Sequence, residues 1–180
     1  NLQSRVEATA VSENRKWVAA GTSSGDVYIW PYDRSAKPIR LRYGDAVNAV
    51  AITADGSTLL AAGRIRGGRH TVKAWTLEAD GVVTIRDDAM PNRELSSHTE
   101  PILSIDLSSD SSRVITSAAD GTVVLAPVDG AGASKSFQAT SQRNSVWTAR
   151  ISPDGQWIVT AGEDGVVRVW NAEVKADADG

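Results

Sequence analysis

The sequence predicts an all-β fold built from one antiparallel unit used four times. Three observations carry that expectation. The stretches "SSGDVYIW" (23–30), "GRHTVKAW" (68–75), "ADGTVVLA" (119–126) and "EDGVVRVW" (163–170) share a frame and end at steps of 45, 51 and 44 residues. Upstream of each stands a second frame: "VEATAVSENR" (6–15), "VNAVAITADG" (47–56), "ILSIDLSSDS" (102–111) and "VWTARISPDG" (146–155). Each has an apolar residue at its first and sixth positions and a polar turn at its seventh to tenth. No window of eleven or more residues has helical periodicity.

Each unit reads strand, turn, strand, turn, strand. The upstream frame is the first strand, because it alternates at period 2 and is closed by a turn-forming cluster such as Asp-Gly or Ser-Asp. The second strand follows in "KWVAAG" (16–21), "STLLAAG" (57–63), "RVITSA" (113–118) and "QWIVTAG" (156–162). The third ends at Trp30, Trp75, Ala126 and Trp170. A fourth, outer strand is expected in "KPIRLRY" (37–43), "GVVTIRD" (81–87) and "KSFQATS" (135–141). The units divide the chain at approximately 1–43, 44–95, 96–141 and 142–180. After "NAEVKADADG" no outer strand remains for the last unit, so residues 1–5 are expected to complete an outer strand by circular closure.

Composition narrows the functional classes. Apolar residues make up 41% and charged ones 23%, the balance of an ordinary globular chain. A formal charge of −3 gives no general attraction to nucleic acid or anionic lipid. The absence of cysteine excludes a disulfide framework, thiolate zinc sites and a Cys nucleophile. No apolar run approaches the roughly 20 residues of a membrane span. A cytoplasmic setting is expected, with no membrane contact. Residue 1 is Asn and both ends cut through a unit, so a piece of a longer chain is expected.

Four units in register resemble the WD-repeat β-propeller, whose blades recur about every 40–45 residues. The resemblance covers nearly the whole chain. Its best carriers are "SPDGQWIVTAGEDGVVRVWN" (152–171) and "SHTEPILSIDLSSDSSRVITSAADGTVVLA" (97–126). It implies a β-propeller of four-stranded antiparallel blades, with four WD-type repeats in this chain. The family's Trp stands at Trp30, Trp75 and Trp170 and is replaced by Ala126. Its turn Asp stands at Asp120 and Asp164 and is replaced by Ser24 and Arg69. The resemblance assigns Trp30, Trp75 and Trp170 to packing between blades, with Trp17 and Trp157 beside them, and Asp164 to a turn. It also implies that His98, Thr116 and Asp120 form a network tying an outer strand to an inner hairpin. No activated nucleophile or oxyanion device accompanies those three, which disfavours a catalytic reading. The residues equivalent to His98 are Leu2, Tyr43 and Gln142, so only the third repeat can build the network.

The same resemblance implies a non-catalytic scaffold that binds a protein or peptide on one face. The second frame position, Glu7, Asn48, Leu103 and Trp147, and the residue before the turn Asp, Ser23, Gly68, Ala119 and Glu163, are expected to crowd that face. Trp147 is either an exposed hot spot beside Leu103 or a further core residue. "GRIRGGRH" (63–70) offers Arg64, Arg66 and Arg69 as a patch for an anion, a phosphate or an acidic partner, or is a wide solvated turn. It lacks the spacing of a phosphate loop. A regulatory sensor region of a larger signalling ATPase or effector is the alternative setting. A central-channel enzyme would need converging charges, and the inner frames offer only Thr9, Asp106 and Arg150. Nucleic-acid contact through the arginines is disfavoured by the net charge and the lack of interleaved aromatics. No cofactor or metal is expected: two His and no Cys make no transition-metal site, "DADG" (177–180) lacks a calcium loop's bidentate Glu, and Asp87–Asp88 has no partner at catalytic spacing. Rings of this family usually have seven or eight blades. The rest of a longer chain or a second copy is therefore expected to complete the ring, although a four-bladed ring is the other closed form.

Overall fold

Period-2 alternation is realised as antiparallel sheets whose two faces are both apolar. The computed structural model describes residues 4–79, 82–83, 85–86, 89–140 and 144–173. The first blade runs β1 (Val6–Val11), β2 (Trp17–Thr22), β3 (Asp26–Pro31) and β4 (Ile39–Arg42), in that spatial order. The second begins with β5 (Val47–Ile52), β6 (Thr58–Gly63) and β7 (His70–Thr76). A short ribbon follows, β8 (Glu78–Ala79) with β9 (Val82–Val83), before β10 (Arg93–His98) pairs with β7 and completes the second sheet. The third blade is β11 (Ile102–Leu107), β12 (Arg113–Ala118), β13 (Thr122–Pro127) and β14 (Lys135–Gln138). The fourth is β15 (Val146–Ile151), β16 (Trp157–Gly162) and β17 (Val167–Asn171). No helix of the structure is long and apolar enough to cross a membrane among the described residues.

Two outer strands fall where the sequence places them, at 39–42 and 135–138. The second does not. Val82–Val83 turn back on Glu78–Ala79, and the outer edge of the second blade is supplied by Arg93–His98 instead. That segment buries Leu95 and His98 towards the third blade, whereas the "GVVTIRD" stretch is occupied by the ribbon. Residues 81, 84 and 87 of that stretch lie outside the described residues, as do residues 1–3, Gln142, Asp88 and the 177–180 tail.

Three apolar layers hold the four blades together. Ala19, Val27 and Ile29 of the first blade meet Val47, Leu59 and Trp75 of the second. Leu60, Val72 and Ala74 of the second meet Ile102, Val114 and Ala126 of the third. Ile115, Val123 and Leu125 of the third meet Val146, Ala149 and Ile158 of the fourth. Each layer is one blade's forward face covered by the first three strands of its successor. A fully buried Val or Leu contributes about 1.5–3 kcal/mol in such a layer. Trp75 is buried, and Trp17 also sits in the first layer.

Polar turns reinforce the apolar layers at one end of the blades. All four hairpins after the inner strands use the same device. Ser12, Thr53, Ser108 and Ser152 donate their hydroxyls to Asn14, Asp55, Asp110 and Asp154 at 2.7, 2.6, 2.6 and 2.5 Å. The same Asx oxygens accept backbone amides two residues on. Neighbouring turns are then joined: Asn14 to the Asp55 carbonyl, Ala54 N–H to Ser111 Oγ at 2.9 Å, and Arg113 Nη2 to Gly155 O at 2.8 Å. The result is a belt running from blade one to blade four.

The forward face of the fourth blade has no such cover among the described residues. Val167 and Val169 are 67% and 62% exposed, whereas their counterparts Val123 and Leu125 in the third blade are buried. Trp157, expected between blades, is exposed for the same reason. At the other end Val6, Val11 and Tyr32 of the first blade are exposed, and Trp30 is only half-buried. In the 180-residue chain, Val123→Asp should cost more than about 3 kcal/mol, because it places a carboxylate inside a layer. Val167→Asp should cost less than about 1 kcal/mol. Urea denaturation of the two variants checks the contrast.

Candidate functional site

A tight backbone irregularity positions the face on which binding residues are expected. Where each inner strand pairs with its neighbour, the ladder skips one residue: between Val6 and Ala8, Val47 and Ala49, Ile102 and Ser104, and Val146 and Thr148. The skipped residues are Glu7, Asn48, Leu103 and Trp147. A bulge of this kind leaves its extra residue unpaired and re-aims the side chain. The four form a row along the same end of successive inner strands. Trp147 is 60% exposed among the described residues. Leu103 beside it is half-buried. Asn48 is also half-buried and donates Nδ2–H to Ile102 O across the blade boundary at 2.8 Å. Glu7 is exposed and paired with Arg5 at 2.6 Å.

The hairpins between second and third strands form the outer rank of the same face. Each is docked to the chain that leads into the inner strand: Ser23 N–H to Arg5 O, Arg64 N–H to Ala46 O, Ala119 N–H to Pro101 O and Glu163 N–H to Ser145 O, all 2.9–3.0 Å. Gly162 is required at this crossing, since a Cβ would fall 2.2 Å from Ser145 O. Glu163 is exposed, and its Oε2 accepts the Ser145 amide at 3.3 Å. Asp164 makes the turn: it accepts Val166 N–H at 3.0 Å and Arg168 Nη1 at 2.7 Å. The Val166 amide, first, and Arg168 hold its carboxyl below the usual carboxylate range against partial burial. Trp170 donates Nε1–H to Thr160 Oγ1 at 2.9 Å and lies 5.1 Å from Phe137 across the third layer.

His98, Thr116 and Asp120 are brought together, with Thr122 and Thr99 completing the group. The buried His98 ring contacts Thr122 Oγ1 through Nδ1 at 2.7 Å and Thr116 Oγ1 through Nε2 at 2.8 Å. Thr122 in turn donates its hydroxyl to Asp120 Oδ1 at 2.5 Å. Since that proton is committed, Thr122 accepts from Nδ1–H, while Thr116 Oγ1 bonds Nε2 and also donates to Val124 O at 3.3 Å. Asp120 also accepts the Thr99 and Thr122 amides at 2.8 and 2.9 Å. Burial alone would raise the Asp120 carboxyl, but the His98 ring, the Thr122 hydroxyl and amide and the Thr99 amide outweigh it. The carboxyl is held well below its ordinary range. Gly121, at φ 82°, lets the turn close under this network. Every polar group is satisfied from within, so the cluster ties the second blade's outer strand to the third blade.

The neighbouring blade solves the same problem differently. Tyr43 occupies the position of His98, is fully buried and donates its hydroxyl to Thr71 O at 2.9 Å. Lys73 Nζ caps Tyr43 O at 2.8 Å and lies 5.4 Å from its ring centre. Arg69 replaces the turn Asp, and Thr71 Oγ1, the counterpart of Thr122, is buried with no partner among the described residues.

The arginine loop is anchored rather than loosely solvated. Ile65 packs against the first layer and donates its amide to Nδ1 of the buried His70 at 2.9 Å. Arg66 Nε lies 3.0 Å from Asp45 Oδ2, and Arg69 Nη1 donates to Ser97 Oγ at 3.1 Å. Neither Gly67 nor Gly68 has an atom near the space a Cβ would take, so the tip stands clear of the blades.

Sequence reasoning missed one set of cross-blade ties. Ser104 Oγ accepts Ala149 N–H at 3.1 Å and Asp106 Oδ2 accepts Ile151 N–H at 2.9 Å. The available signal was polar residues at alternate positions of an otherwise apolar inner strand. Arg150 Nη1 donates to the Ala149 carbonyl at 2.9 Å. At the opposite end, a recess of about 420 Å³ is lined by Asp55, Arg93, Asp110 and Asp129. Asp55 and Asp110 there are already engaged in their turns. Among the described residues no group of three His, Cys, Asp or Glu is placed to hold a metal ion.

The WD domain, G-beta repeat family matches residues 90–125 and 134–171, each span running from an outer strand into the next blade. The chain is 30% identical over 130 residues to Protein LST8 homolog of Drosophila melanogaster, covering 72% of this chain and 40% of that protein. It is 25% identical over 166 residues to Protein tipD of Dictyostelium discoideum, covering 90% of this chain and 25% of that one. The LST8 homolog of Drosophila pseudoobscura pseudoobscura is 29% identical over 126 residues, 69% of this chain and 38% of the relative. The chain thus spans between a quarter and two fifths of these curated relatives.

His98→Ala and Thr116→Val should each lower stability by about 1–3 kcal/mol by leaving buried partners unsatisfied. Because Asp120 titrates below its ordinary value of 3.8, its stabilising contribution is complete above about pH 4 and fades as pH falls further. The stability gap between wild type and Asp120→Asn should therefore be widest near neutral pH and narrow below about pH 4, as followed by urea denaturation. Burial first, with Arg64 and His98 adding to it against Glu100 and Asp120, lowers the His70 pKa. An NMR titration should give His70 a midpoint below 6.5.

Proposed function

The chain belongs to the WD-repeat family, and on that premise we propose that it is a non-catalytic, cytoplasmic interaction scaffold. It binds a protein or peptide partner on the face carrying the bulge residues. One observation carries this reading. A bulge repeated in all four blades turns Glu7, Asn48, Leu103 and Trp147 towards one end of the inner strands, and at Trp147 it leaves a large aromatic side chain 60% exposed. An exposed Trp on a rigid sheet end, with a half-buried Leu beside it, has the chemistry of an interface anchor. Glu7 of the first blade, the arginine loop of the second and Glu163 of the fourth form its charged rim. The end faces of the first and fourth blades are covered separately, by the rest of a longer chain or by a second copy.

Trp147→Ala should leave the urea midpoint of the chain unchanged within error, since little of the ring is buried. Combined with Leu103→Ala it should remove the partner from the proteins that co-purify with the full-length protein. Co-purification profiles that are identical for wild type and the double variant would sink this assignment of the face.

A further inference from the structure

The arginine loop is unlike any other turn on the binding face. The first, third and fourth blades cross from second to third strand by tight turns through Gly25, Gly121 and Gly165. The second blade spans this crossing with residues 64–70, four more than the first blade uses, and has Arg69 in place of the turn Asp. Three arginines are placed within six residues, all exposed, in a chain whose net charge is −3.

What distinguishes this loop from a solvated turn is its foundation. Ile65 is driven into the layer between the first two blades, and its amide is bound by the buried ring of His70. The Arg64 amide is pinned to Ala46 O at 2.9 Å. Asp45 contacts Arg66 through Nε, yet the side chain remains 86% exposed. Asp45 is itself fixed by the Ala46 amide at 2.8 Å, which with Arg66 and Arg64 holds its carboxyl below the ordinary range. Ser97 engages one terminal nitrogen of Arg69. The base of the loop is therefore held in place at Arg64 and Ile65, and less conformational entropy is lost there on binding. Guanidinium groups present planar forks matched to carboxylate and phosphoryl oxygens.

We propose that the partner carries a peptide-borne oxyanion cluster, a run of carboxylates or a phosphoryl group, that docks on Arg64, Arg66 and Arg69. This inference rests on the binding face proposed above and gives it polarity. The acidic part of the peptide lies over the second blade and an apolar residue lies towards Leu103 and Trp147, away from Glu163. Three contacts of this kind make the affinity strongly salt-dependent.

Fluorescence anisotropy with three labelled peptides of one sequence tests the proposal: a Glu-rich form, a phosphoserine form and a Gln-substituted neutral form, each carrying one Trp or Leu. The 180-residue chain should bind at least one of the two anionic forms and discriminate against the neutral form by tenfold or more. Whichever anionic form binds identifies the source of the charge. Charge reversal in Arg64→Glu/Arg66→Glu/Arg69→Glu should abolish that binding while the urea midpoint stays near wild type. Arg→Lys at all three sites should retain part of it. Equal binding of neutral and anionic peptides, or undiminished binding by the reversed variant, overturns the proposal. So does arginine-dependent retention of an RNA oligonucleotide in preference to both anionic peptides. Partner capture that still depends on Trp147 but ignores the arginines would overturn this inference alone.

Discussion

Covering both faces of every sheet is the constraint on which the rest of the structure depends. A blade of this sequence is apolar on both sides, so no blade can exist in water by itself. Val27 and Ile29 need Trp75 and Leu59, Val72 and Ala74 need Val114 and Ala126, and Val123 and Leu125 need Val146 and Ile158. Fold, repeat length and strand order all follow from that requirement. A unit shorter than three strands could not present a full face to its neighbour, and one with a helix would break the stacking.

The polar ties refine what the apolar layers permit. The belt of Asx turns, the Ser104 and Asp106 acceptors and the His98 group all cross a boundary between blades. Apolar contact leaves blades free to slide, whereas a directional hydrogen bond fixes one position. The contrast between His98 and Tyr43 shows that the tie is required while its chemistry is not. The first blade reaches across to the second with a phenol and leaves Thr71 Oγ1 unpaired among the described residues, and the loss of the turn Asp in the second blade coincides with the arginine loop.

Most of the fold was legible in the sequence because period 2, Asp-Gly turns and a 45-residue recurrence are local signals. The inner three strands of all four blades stand where those signals place them. The outer strand of the second blade was not legible, because "GVVTIRD" and Arg93–His98 both suit an edge strand and only packing against the third blade decides between them. Trp157 was misplaced for a related reason: its pattern matches Trp17, but burial depends on a neighbour the pattern does not contain. On the binding face, the second frame position was readable as special, yet the bulge that makes it so arises from pairing geometry. The anchoring of the arginine loop by Ile65 and His70 joins residues five apart across a turn, and no periodicity encodes it.

The repeated bulge has one more consequence. A one-residue slip in a strand would send every following side chain to the wrong face, and here the slip is built in at the same height four times and absorbed. The skipped residue therefore stands outside the alternation that specifies the fold. Glu7, Asn48, Leu103 and Trp147 are four unlike side chains on four supports that share one pairing pattern. A scaffold of this design largely separates its foldability from its recognition alphabet: Glu7, Leu103 and Trp147 can be rewritten one blade at a time while the grammar of the sheets stays as it is, whereas Asn48 also ties its blade to the third.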